Sequence, residues 1–171
     1  DVKKDGAVIE KISLNMGGLH NVENATAAIG VAMQLGIEAA KIKAAVAAFR
    51  GVKRRFEYIV APSAENDVVY VDDYAHHPAE LEALIKSAAS MFRGKKCTLI
   101  FQPHLFSRTR DFAAEFAQSL ELADEVILLP IYPARELPVE GVTSATIADR
   151  MDRGRGSIME KNELMRWITQ E

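Results

Sequence analysis

The chain has 171 residues, 49% of them hydrophobic and 26% charged, with a net charge of −3. That is enough apolar side chain for a packed core, which excludes a disordered or fibrous class, and the mild negative charge excludes a global pull toward nucleic acid or an anionic membrane surface. One cysteine excludes an internal disulfide framework, and no apolar run reaches the length of a membrane span, so a reducing, cytoplasmic setting is expected.

Residues 7–14 alternate loosely and predict a strand, closed by a turn at Met16-Gly17-Gly18. The Ala-rich run after it predicts a helix that Gly36 ends as a C-cap, and residues 38–49 predict a second helix, mostly apolar and so packed against a neighbour. The polar, cationic stretch "RGVKRRFE" is the candidate domain boundary. Beyond it, strands are predicted over 57–61, 68–71, 97–101 and 125–129. Helices are predicted over 78–92, 110–122, 144–150 and 162–168, the last with Asn162 as N-cap, and a short extended segment over 157–159. Strands alternating with helices of this length predict an α/β fold, a mostly parallel sheet flanked by helices, preceded by a strand and a helical hairpin. The chain opens on Asp1 without a methionine and is expected to be a piece of something longer. Cys97, in an apolar strand pattern, is expected to be a small buried hydrophobe.

Three strands end in loops rich in chemistry: "DDYAHHP" (72–78), "QPHLFSRTR" (102–110) and "PIYPARE" (130–136). In a parallel sheet all three would share one edge, where open α/β sheets bind ligands. Each feature also has a plainer reading. Asp72 or Asp73 could cap the next helix, and His76 and His77 could be solvated. Arg108 and Arg110, placed before a helix starting at Asp111, read either as a surface pair or as a carboxylate or phosphate pocket. Arg54 and Arg55 read as a solvated charge run or as anion ligands. Asn21 and Asn24 share a helix face and read as caps or as an adenine reader. No His-x3-His spacing or cysteine pair supports a metal site, so none is expected. The residues alone reach a small-molecule α/β domain with an anionic ligand.

"GGLHNVENATAA" (17–28), "RRFE" (54–57), "DDYAHHP" and "FQPHLFSRTRDF" (101–112) occur in an order and spacing that resembles the Mur ligases. The resemblance covers essentially the whole chain. It implies that residues 1–53 end a central ATPase domain and that residues 54–171 form a C-terminal, Rossmann-like, amino-acid-binding domain. It implies ATP-dependent amide formation through an acyl phosphate in peptidoglycan synthesis, with L-alanine joined to UDP-N-acetylmuramate. A family member that recycles a tripeptide onto the same nucleotide sugar, or a non-catalytic Rossmann-like module, are the alternatives. The resemblance places His20, Asn21, Asn24, Arg55 and Asp73 at the nucleotide, and Tyr74, His76, His104, Arg108 and Arg110 around the incoming amino acid. His76 and Arg108 are implied to be catalytic, positioning or deprotonating the amine and pairing with its carboxylate. Leu105 departs from the basic residue that many relatives carry after the histidine of "QPH". No G-x-x-x-x-G-K-[ST] loop occurs in these residues, so ligands for Mg2+ are expected upstream and the isolated chain is expected to be inactive.

Overall fold

A computed structural model describes residues 1–65, 67–152 and 156–169, with the side chain of His20 outside the description. The chain divides into two compact units, residues 1–74 and 75–171.

The first unit opens with β1 (Val2–Lys4) and β2 (Ala7–Ile9), an antiparallel hairpin. The predicted strand over 7–14 is thus shorter than expected and has a partner before it. The turn is Asp5-Gly6, both at positive φ (48° and 83°), as a two-residue hairpin loop demands. Next come α1 (Leu19–Gln34) and α2 (Ala39–Ala48). Gly36 ends α1 as expected. It sits at φ 73°, its N–H donates to Met33 O, and the Ile37 N–H donates to Ala32 O, the paired bonds of a Schellman motif. Ile29 of α1 and Ile42 of α2 close a small core with Ile9. The helices are less enveloped than expected, since Val22, Val31 and Leu35 of the first unit are exposed.

β3 (Glu57–Val60) and β4 (Tyr70–Asp72) complete this unit as a second antiparallel hairpin, with a register shift between Tyr58 and Val60. This corrects the expectation that the strand before "DDYAHHP" lies in the parallel sheet. An apolar run reports an extended backbone but not the direction of its partner.

The second unit begins with α3 (Pro78–Met91), followed by β5 (Thr98–Phe101), α4 (Phe106–Asp111), α5 (Ala113–Leu120), β6 (Glu125–Leu128), α6 (Ala145–Ala148), β7 (Gly156–Ile158) and α7 (Lys161–Ile168). Its sheet runs in the order β5-β6-β7, all parallel. The central strand is buried on both faces: Val126, Ile127 and Leu128 are each 0% exposed. Side chains alternate along a strand. Val126 and Leu128 therefore pack with Leu81, Ile85, Phe116, Leu120 and Ile147 of α3, α5 and α6, while Ile127 packs with Leu164 of α7. Cys97 is half-buried at the edge of the larger core, and burial, with Asp124 nearby, pushes its thiol pKa up, away from nucleophile chemistry. α7 starts one residue earlier than expected. Its N-cap is Glu160, boxed with Glu163, and not Asn162. Among the described residues no helix is long and apolar enough to cross a membrane.

Candidate functional site

The site in the second unit is built on parallel strand ends. Past Phe101 and Leu128 the β5–β6 ladder continues as one isolated bridge, His104 to Tyr132. The Tyr132 N–H donates to Pro103 O (2.8 Å), and the Leu105 N–H donates to Tyr132 O (3.0 Å). The two loops are thereby held side by side, and the rings of His104 and Tyr132 stack, with centroids 5.7 Å apart and planes 25° from parallel. Leu105 starts α4 at φ 73°, a left-handed conformation that is costly for a branched residue. Its carbonyl accepts both the N–H (3.1 Å) and the hydroxyl (2.8 Å) of Thr109, which is fully buried.

α4 corrects the expected placement of the arginines. Arg108 and Arg110 lie inside this helix, in its last turn, and not ahead of a helix N-terminus. The local anion argument from a helix dipole therefore fails. Arg108 instead acts through a side-chain neighbour, with Nη1 3.5 Å from His104 Nδ1. Guanidinium only donates, so Nδ1 is the acceptor and the neutral ring carries its proton on Nε2. Arg110 is exposed and pairs with Asp111 (2.7 Å).

His76 meets His104 edge to face, with ring centroids 6.3 Å apart. Its Nδ1 lies 3.3 Å from Glu80 Oε2, and that same oxygen accepts the backbone N–H groups of His76 (2.9 Å) and His77 (3.1 Å). The helix after "DDYAHHP" is therefore capped through His77 and Glu80, in a capping-box arrangement with Pro78 at its first position. It is not capped by Asp72 or Asp73. The His77 ring packs on Phe112.

His104, Arg108 and His76, which the sequence reading grouped, thus lie close together, although the strand before His76 is not in the parallel sheet. The partners that reading left unassigned are Tyr132, Glu80 and Glu136. Glu80 was findable from its spacing of three from His77. Beside Tyr132, a cleft of about 320 Å³ is lined by Gln102, Pro133, Glu160 and Lys161, among others.

Burial lowers the pKa of His104, helped by Arg108 and by His76 when protonated, and opposed by Glu136. The unfolded chain therefore takes up this proton first. Its contribution to stability is complete above the ordinary value of 6.5 and is lost as the pH falls through 6.5 toward the folded value. An NMR titration of the four histidines is expected to find His104 below 6.5 and raised toward it in Arg108→Ala. A His104 that titrates at or above 6.5 would contradict this geometry.

In the first unit, the "RRFE" and "DDY" stretches brace each other. The Phe56 N–H donates to Asp73 Oδ2 (2.7 Å), and the Tyr74 N–H donates to Arg54 O (2.8 Å). Arg54 lies 3.5 Å from Asp72 and 4.9 Å over the Tyr74 ring. Arg54 and Phe56 both hold positive φ, near 58° and 52°. Asn21 is buried and donates to Gly17 O (2.6 Å), so part of its amide serves the turn into α1. Asn24 and Arg55 are exposed. For a nucleotide, Asn24, Arg55 and Asp73 are the right donor and acceptor types for a base, a phosphate and a ribose. Among the described residues no three His, Cys, Asp or Glu side chains converge on a common point.

The family model described as Mur ligase, glutamate ligase domain, matches residues 54–170. A UDP-N-acetylmuramate–L-alanine ligase of Cytophaga hutchinsonii is 53% identical over 154 residues, 90% of this chain and 32% of that protein. Its counterpart in Christiangramia forsetii is 42% identical over 171 residues, all of this chain and 37% of that protein. The crystal structure of UDP-N-acetylmuramate-alanine ligase MurC from Thermotoga maritima matches with a TM-score of 0.75 at 30% identity, over 97% of this chain and 35% of that one. A murein peptide ligase from Psychrobacter arcticus matches with a TM-score of 0.59 at 25% identity, over 92% and 32%. The chain spans about a third of the length of the curated relatives it matches.

Proposed function

The chain belongs to the Mur ligase family, and from that premise we propose that it is the C-terminal third of a cytoplasmic, ATP-dependent ligase that joins L-alanine to UDP-N-acetylmuramate in peptidoglycan synthesis. Residues 1–53 would close a central ATP-binding domain, and residues 54–171 would form the amino-acid-binding domain. The observation that carries the reading is the cluster of His76, His104 and Arg108 in the second unit. It offers one fixed cation and two imidazoles, the set that an amino acid presenting a carboxylate and an amine requires.

Arg108 takes the carboxylate of the amino acid by charge-assisted hydrogen bonds. His104, kept neutral by burial and by Arg108, adds no second charge and can donate through Nε2. His76 has Nδ1 turned to Glu80, so its neutral ring carries the lone pair on Nε2, where it accepts a proton from the attacking amine. In the first unit, Asn24, Arg55 and Asp73 would hold the nucleotide, together with His20 and Asn21. ATP, when bound, supplies the phosphoryl group that makes a carboxylate a competent acyl donor.

The test is ADP release by the full-length protein with MgATP and UDP-N-acetylmuramate, adding either L-alanine or the wall tripeptide. Release with L-alanine is the expected result. Release with the tripeptide alone would make the protein a recycling ligase, and release with neither would leave a binding module. Residues 1–171 alone are expected to release none.

A further inference from the structure

We infer that Glu136 is a positioning residue, a carboxylate that fastens the start of α4 so that Arg108 and His104 are presented together to the substrate carboxylate. This rests on the reading that the second unit receives the amino acid.

α4 has six residues and no side-chain cap of its own. A helix that short does not hold itself, and its first N–H groups need acceptors. They come from a carboxylate on another loop. Glu136 Oε2 accepts the Ser107 N–H (2.9 Å), and Oε1 accepts the Ser107 hydroxyl. Those bonds, a further backbone bond from Phe106 and the nearby Arg108 charge hold the Glu136 carboxyl below the usual carboxylate range, so it stays ionised.

The loop that delivers Glu136 is itself shaped for the task. Ala134 takes a positive φ of 52°, and the Glu136 N–H returns to Pro133 O (2.9 Å). Two residues before Ala134, Tyr132 is bridged and stacked on His104. Thr109, on the same helix, is fully buried, and its hydroxyl bonds back to Leu105 O at the helix start. Ser107 is thus tied to Glu136, and the next residue, Arg108, lies with Nη1 3.5 Å from His104 Nδ1.

Glu136→Gln keeps the shape but removes the charge and one of the two acceptor oxygens that serve Ser107. In the 171-residue chain, the Ser107 amide is expected to exchange with solvent about tenfold faster, and the His104 pKa to fall further, because an opposing charge is gone. In the full-length protein, the KM for the amino acid is expected to rise about tenfold, with kcat and the KM for ATP within about twofold. Ser107→Ala, which removes only the hydroxyl and keeps the Glu136 charge, is expected to move the exchange and the KM the same way by less. Unchanged amide exchange and an unchanged His104 titration would overturn the inference. So would an equal loss in both KM values, which marks general damage. If the full-length wild type does not use L-alanine, the functional reading fails, and the exchange and titration still decide whether Glu136 fastens α4.

Discussion

Arg108→Ala in the full-length protein is expected to lower kcat/KM for the amino acid by about 10²- to 10³-fold, mostly through KM. Arg108 is the cation beside His104, at 3.5 Å, and the proposed substrate brings one carboxylate to it. Removing a charge partner from a partly buried carboxylate loses both the attraction and the desolvation already incurred. Arg108→Lys is expected to recover little, since an ammonium cannot reproduce a two-pronged guanidinium contact. Arg110→Ala is the informative comparison. Arg110 is exposed and engaged with Asp111, so its loss is expected to change kcat/KM by no more than about threefold. Steady-state kinetics with L-alanine as the varied substrate separates the two. Equal effects from both arginines would return them to the symmetric pair that the sequence suggested.

That symmetric pair shows where sequence reasoning reached and where it stopped. β5 and β6 were legible because 98–101 and 125–128 are short, mostly apolar runs, β6 buried on both faces and β5 closed by the buried Phe101. Gly36 was legible because an αL stop at a helix end is a local event. α4 was not legible. It begins on a strained Leu105, just past a proline, and its cap lies 29 residues away at Glu136. No local window holds that information. The partner of β4 was hidden for the same reason, since strand pairing is decided by the whole chain. The Asp5-Gly6 hairpin was present in the sequence as a turn signal, and the neighbouring lysines masked the strand before it. At the site, the residue types and three loops were legible, and the convergence of two loops followed from the parallel β5–β6 pair. The partners that aim the side chains, Glu80 and Glu136, required the fold.

Phe116→Ala is expected to destabilise the second unit by about 3–5 kcal/mol. Phe116 is 1% exposed, and its ring packs on that of Phe101, with centroids 5.4 Å apart. Phe101 is the last residue of β5, three positions before His104, so the cavity would open directly beneath the strand end that carries the site. Urea unfolding followed by Trp167, the single tryptophan, reports on this unit, because Trp167 packs with Leu129 and Leu164 on the opposite face of the sheet. A loss registered there from a deletion on the α5 face would mean that the two faces unfold as one through β6, whose residues are buried from both sides. A loss below about 1 kcal/mol would mean that the α5 layer relaxes into the space, contrary to a close-packed core. Arg108→Ala is expected to leave this transition within about 0.5 kcal/mol of wild type, as for a substitution outside the core. The two variants then separate what binds from what holds the binding groups in place: one loses affinity at constant stability, and the other loses the support on which His104 and Arg108 depend.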